Sequence, residues 1–219
     1  MTSTQHQPTN AIAVWTVFLV GACVLWIAVA LLHPGGSGGV YDALDDKVGL
    51  WLTVHLAQPV LALGVGAGFW MLLADRSGTA ATVARVALPV WLVSFAVFDS
   101  VTGIASGLAV HHANGLDGSE QQGAASTVQY LADNNVTADW SPVWFIQAAA
   151  LLTVVIATAL AVRSTGASRA VFISLLIGCL LIFHAGPAAA VGLAGLATGF
   201  FLADRDGLLL WGDKSRQAA

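Results

Sequence analysis

The sequence predicts an all-α membrane protein: a polytopic bundle of six transmembrane helices with both termini in the cytoplasm. Three observations lead there. Hydrophobic residues make up 57% of the 219 and charged residues only 9%. Mean hydropathy is +0.79, and so few charges cannot cover a globule of this size in water, where about 25% is usual. The eight Lys and Arg residues are also segregated: all but Lys47 fall in alternate connections, which the positive-inside rule makes cytoplasmic.

Residues 1–10 (MTSTQHQPTN) form a cytoplasmic tail without Lys or Arg. No small-x-small cleavage pattern follows the first apolar run, so that run is expected to be a retained span. The transmembrane domain covers 11–205, with spans at 11–32, 49–74, 80–110, 141–162, 170–185 and 188–203. About 20 residues cross the hydrocarbon, and the first four spans reach that length. The last two are shorter and share a break at Gly186-Pro187, where proline ends a helix and predicts a tight helical hairpin. Arg76 and Arg85 flank the second connection, Arg163 and Arg169 the fourth, and Arg205, Lys214 and Arg216 follow the last span. The outer loops are 34–48, holding Asp42, Asp45, Asp46 and Lys47, and 113–139, which carries acids but no Lys or Arg. Within the latter, SEQQGAASTVQYLAD from Ser119 predicts a short surface helix, and Asn135-Val136-Thr137 matches a glycosylation acceptor. Residues 206–219 are a cytoplasmic tail.

A net charge of −4 leaves no basic patch to release counterions, so no nucleic-acid partner is expected. Cys23 and Cys179 lie inside apolar runs and behave as small buried hydrophobes. The partners implied are the lipid bilayer of the cell membrane and an apolar small molecule.

An ionisable group inside a membrane is costly and marks a functional site by default. The one acid strictly within the apolar runs is Asp99, in WLVSFAVFDSVTGIASG, near the midplane and slightly outward. His33, His55, His111, His112 and His184 all fall toward the outer face. Gln58 shares a helix face with His55, and Trp26 shares one with His33. Trp140, Trp144 and Gln147 form a stripe on the fourth span, while Phe95, Asp99, Gly103 and Gly107 line one face of the third. The inner half of the second span, LALGVGAGFWMLL, is glycine and aliphatic by contrast. Polar and aromatic groups are thus expected to line a pocket in the outer half of the bundle. His33, His111, His112, Trp51 and Trp140 also suit an interfacial belt, and Gly103-x-x-x-Gly107 suits helix packing.

A carboxylic acid in a medium of low dielectric keeps its proton near neutrality and can deliver it to an alkene or epoxide. The expectation is an integral membrane enzyme, a cyclase or isomerase acting on an apolar isoprenoid-like substrate. Asp99 and His55 are its catalytic pair, and Gln58, Trp26, Phe95, Phe98, Trp144, Gln147 and His184 line the substrate site. Aromatic faces would stabilise the carbocation. The outer histidines allow a haem- or metal-binding alternative, but His-x-x-x-His spacing is absent, and neither a metal nor a cofactor is called for. A third reading is a six-span solute-binding or transport subunit.

The segments L-H-P-G-G at 32–36, W-L-T-V-H-L at 51–56, F-D-S-V-T-G-I-A-S-G at 98–107 and F-H-A-G-P at 183–187 resemble small multipass proteins common in high-GC bacteria. The chain is similar in kind to bacterial membrane terpene cyclases of indole-sesquiterpenoid pathways. That resemblance implies proton-initiated cyclisation; the fungal relatives use two carboxylates, where this chain buries Asp99.

Overall fold

The computed structural model describes residues 9–34, 39–134 and 141–209, with side chains from residue 14 on. Trp140, Asp139, the 135–137 tripeptide, Lys214 and Arg216 lie outside the described residues. So do most of the N-terminal tail and the Gly-Gly of the first outer loop.

The described residues are helical apart from short turns. In order these are α1 (Thr9–Leu32), α2 (Val40–Leu44), α3 (Val48–Leu73) and α4 (Thr79–Phe98), then a π-helical segment (Asp99–Ala105) leading into α5 (Ser106–Ala113). α6 (Gly118–Asn134), α7 (Pro142–Ser164), α8 (Arg169–Ile177) with a 3-10 segment (Gly178–Phe183), and α9 (Gly186–Arg205) follow. Five stretches are long and apolar enough to cross a membrane: Val14–Leu32, Val48–Leu73, Thr79–Ala113, Pro142–Ser164 and Gly186–Arg205. The remaining apolar stretch, Arg169–Phe183, is shorter. Its 3-10 segment rises about 2 Å per residue instead of 1.5 Å, so the whole extends about 25 Å.

Local chemistry sets the helix starts. Ser141 caps α7, accepting from the Trp144 N–H at 3.2 Å, with Pro142 in the first helical position, where its missing N–H costs nothing. Ser168 caps α8, accepting from the Val171 N–H at 3.3 Å. The α8–α9 bend falls at His184-Ala185, two residues before the expected break, and Gly186 already belongs to α9.

The two ends of the bundle differ. Arg76, between α3 and α4, donates to the Leu208 carbonyl at 3.3 Å beyond α9 and to Thr165 Oγ1 at 3.2 Å beyond α7. Thr16 near the start of α1 donates to Asp204 Oδ2 near the end of α9 at 2.6 Å. The starts of α1 and α4 and the ends of α3, α7 and α9 therefore gather at one end, with Arg76, Arg85, Arg163, Arg169 and Arg205. At the other end, α2 and the expected surface helix, now α6, pack over Leu44, Val110 and Val128. Tyr41 Oη donates to Asn114 Oδ1 at 2.8 Å, and Asn114 Nδ2 donates to the Asp45 carbonyl at 2.7 Å.

Candidate functional site

Two successive features of α3 and the third long stretch build the site. On α3, Trp51 and His55 stand one turn apart with their rings 4.1 Å from centre to centre. Pro59, four residues on, has no N–H to offer the His55 carbonyl, which loosens the helix there. Facing them, the chain from Asp99 to Ala105 widens into a π turn, a feature that recurs at functional sites. Glycines make the approach possible: a Cβ on Gly103 would overlap the His55 ring, and one on Gly107 would sit 2.7 Å from Trp51 and Leu52. The Trp51 indole N–H then donates to the Gly103 carbonyl at 2.6 Å. Trp51 is thus a packing and hydrogen-bonding element of the interior rather than only a belt residue. Gly103-x-x-x-Gly107 is a helix contact, as its spacing predicts.

Around this contact three imidazoles from three elements converge. His33, just beyond α1, lies 4.9 Å from His55 and 5.6 Å from His184, ring centre to ring centre. It also meets Trp51 at 5.0 Å, and His184 meets Phe98 at 5.3 Å. His55 Nδ1 donates to the Trp51 carbonyl at 2.9 Å and His33 Nδ1 to the Pro34 carbonyl at 3.0 Å. A carbonyl only accepts, so each Nδ1 carries the proton and each Nε2 presents a lone pair. Burial holds the His33 imidazole below its ordinary range, outweighing that backbone hydrogen bond. His184 sits at φ 42, a left-handed conformation rare outside glycine and asparagine.

Below the imidazoles lies a set of buried polar groups. Asp99 and Gln58 are both 0% exposed. Neither carboxyl oxygen of Asp99 and neither amide atom of Gln58 has a hydrogen-bond partner among the described residues. The same is true of Trp26 Nε1 and Gln147 Oε1, and also of Trp91 Nε1 and Thr158 Oγ1, which lie further toward the arginine-rich end. Gln147, Leu151, Val154 and Thr158 recur at helical spacing on the buried face of α7. Aromatic rings interleave: Trp26 meets Phe95 at 5.5 Å, and Trp91 meets Phe95 at 6.3 Å. More than nine in ten buried polar atoms in folded proteins are paired, which makes Asp99, Gln58, Trp26 and Gln147 the candidate site.

No family model, curated protein or solved structure matches the chain. Its own geometry carries the reading.

Of the residues singled out in sequence, Asp99, His55, Gln58, Trp26, Phe95, Phe98 and Gln147 are buried and His184 half-buried. Trp144 stands in the first turn of α7 against Phe145, ring centres 5.2 Å apart. His111 and His112 are exposed at the end of α5. His33, which sequence placed at the outer face with the other histidines and on a stripe with Trp26, is the hub of the imidazole cluster. Trp91 and Thr158 were missed because each lies in an unbroken apolar run. A cavity of about 380 Å³ lies elsewhere, toward the arginine-rich end, lined by apolar groups of Trp15, Leu63, Gly66, Met71, Leu88 and Leu92. It is a lateral groove of the inner half, not the polar pocket expected in the outer half.

The metal alternative fares differently. Among the described residues no three His, Cys, Asp or Glu side chains stand as metal ligands. The imidazoles instead pack edge to face.

Proposed function

We propose that the chain crosses the cell membrane six times with both termini cytoplasmic. In this reading it is an enzyme that uses Asp99 as an acid on an apolar, isoprenoid-like substrate, in the manner of the membrane terpene cyclases it resembles. The topology is supported by parity: α1 begins and α9 ends at the same arginine-rich end, so the five long stretches need a sixth crossing, and Arg169–Phe183 supplies it. The activity is supported by one observation above the rest, the fully buried Asp99 carboxyl in a widened turn, with both oxygens free of partners among the described residues. An ionised carboxylate without a donor or cation beside it is too costly in such a medium, so Asp99 serves as a neutral acid.

The chemistry then balances. The Asp99 O–H bond breaks and its proton forms a C–H bond with the electron pair of a substrate alkene. The cation left behind is held against the faces of Trp26, Phe95 and Phe98 while the chain closes. His55 Nε2, whose lone pair is set by the Nδ1 hydrogen bond, takes a proton from the carbon beside the cation, and a new alkene forms. The product is an isomer of the substrate. Transport is disfavoured because the inner half is filled: Phe69 packs on Trp91 at 6.3 Å and on Phe200 at 5.8 Å.

The test is turnover of a farnesyl- or prenyl-bearing substrate by purified protein in lipid. Asp99→Asn keeps the volume and should fold normally while losing turnover by about a thousandfold. Undiminished turnover by that variant would end the proposal.

A further inference from the structure

The cavity of about 380 Å³ in the inner half takes no part in the chemistry at Asp99. We infer that it seats an acyl chain of one anionic phospholipid from the leaflet on the arginine-rich side, with the lipid phosphate held by Arg85.

Three helices shape the groove. On α3, Leu63, Gly66, Ala67 and Trp70 recur at i, i+3, i+4 and i+7 and so form one stripe. The two small residues in its middle leave a depression between Leu63 and Trp70. Its floor is tight, since a Cβ on Gly66 would meet Leu92 of α4 at 3.1 Å. Leu88 and Leu92 form a second side and Trp15 of α1 a third. From Leu63 to Trp70 the stripe rises about 10 Å, roughly a third of a hydrocarbon core about 30 Å thick. Leu63 is 61% exposed, Trp70 50% and Trp15 43%, so the groove opens sideways toward the surrounding hydrocarbon.

Charge decides which lipid fits. Arg85 precedes Leu88 and Leu92 by three and seven residues, which puts it on their stripe of α4, one turn nearer the arginine-rich end. Its Nη2 donates to the Leu73 and Ala74 carbonyls where α3 ends, two and three residues past Met71 of the groove. The guanidinium is thereby fixed at the inner mouth. Its Nε and Nη1 have no partner among the described residues, where the ion pairs are Lys47 with Asp46 and Arg205 with Asp206. Of the acids at this end, Asp75 bears on Arg76, Asp204 accepts from Thr16 and Asp206 pairs with Arg205. A held guanidinium with donors to spare suits a phosphate, and basic pockets between helices at this level favour anionic headgroups. Trp15 and Trp70 are of the residue type that prefers the headgroup region. A second copy of the chain docked here would instead bring more arginines to the same level, which like-charge repulsion opposes.

Native mass spectrometry of the full chain in detergent tests the seat, with separate titrations of dioleoyl phosphatidylglycerol, dioleoyl phosphatidylcholine and glycerol phosphate. The wild type should take up one phosphatidylglycerol at least about fivefold more tightly than phosphatidylcholine, and no glycerol phosphate. Arg85→Gln, whose amide can still donate to the α3 carbonyls, should bring phosphatidylglycerol down to the phosphatidylcholine level. Ala67→Leu fills the depression and should weaken both lipids, which keeps the test open if Arg85→Gln does not fold. Arg169→Gln, exposed at the same end and outside the groove, should bind as the wild type does. Equal uptake of the two lipids, undiminished binding by Ala67→Leu, or a preference that Arg85→Gln keeps overturns the seat. So does a loss in Arg169→Gln as large as that in Arg85→Gln, which would mean diffuse attraction. Binding of glycerol phosphate alone would assign the arginine to a free phosphate, and a dimer dissociated by Ala67→Leu would assign the groove to a second copy; either result overturns the lipid.

Discussion

The two halves of this bundle are built from the same helices for opposite ends. Toward the arginines, α3 carries Gly64, Gly66 and Gly68, and Phe200 of α9 lies so close over Gly68 that a Cβ there would meet its ring at 2.5 Å. Phe69, Leu72, Leu73, Trp91, Leu193 and Leu196 complete a close-packed interior. About two to four turns back along the chain, the same α3 turns inward Gln58 and His55, and the facing helices bring Asp99, Trp26 and Gln147. Packing without water gains stability from close contact alone. A polar group in the same surroundings without a partner loses it. The inner half is held mainly by apolar contact, while the outer half buries a carboxyl, an amide and an imidazole close together.

That contrast can be broken most sharply at position 99. Asp99→Asn should lower turnover about a thousandfold while the melting temperature in lipid or detergent holds or rises, because no protein group relies on the carboxylate. Phe200→Ala is its mirror image. It should lower stability by about 3 kcal/mol through the void it leaves over Gly68, and turnover per folded molecule should stay near wild type. Activity lost in step with folding in both variants would erase the distinction between the halves.

Gly103→Ala tests the seam between them. Its methyl group must displace the His55 ring, so about 2 kcal/mol of stability should go along with the Trp51-to-Gly103 hydrogen bond, read as a change in tryptophan fluorescence. A smaller effect follows from His33. Its imidazole is depressed by burial, so below about pH 6.5 the unfolded chain binds a proton that the folded chain refuses. Stability should therefore decline as pH falls through that value, and His33→Gln should make that decline shallower in a pH series of thermal melts.

Much of this architecture is legible in the residues themselves. Long apolar runs and segregated arginines place α1, α3, α4 to α5, α7 and α9 to within a few residues, because a bilayer demands both length and charge asymmetry. The short helix Arg169–Phe183 was visible as an apolar run but not as a 3-10 extension, whose stretch depends on how α9 packs against it. The π turn at Asp99, which carries the close approach of Gly103 to His55, leaves no mark in sequence either. The acid and His55 stood out because charge and imidazole are rare at such depth. His33 did not, because a histidine at the end of a span resembles any interfacial anchor until the cross-helix register is known. Trp91 and Thr158 look like filler in their own helices and become polar only when their neighbours prove to be Phe95 and the buried face of α7.

The central claim is that the outer half is a binding site organised by Asp99. Native mass spectrometry of protein released from its membrane tests this directly. The account predicts one apolar, prenyl-type molecule per chain on the wild type and on Phe200→Ala, and its loss from Asp99→Leu. A wild type that carries nothing, or an adduct that Asp99→Leu retains unchanged, would contradict it.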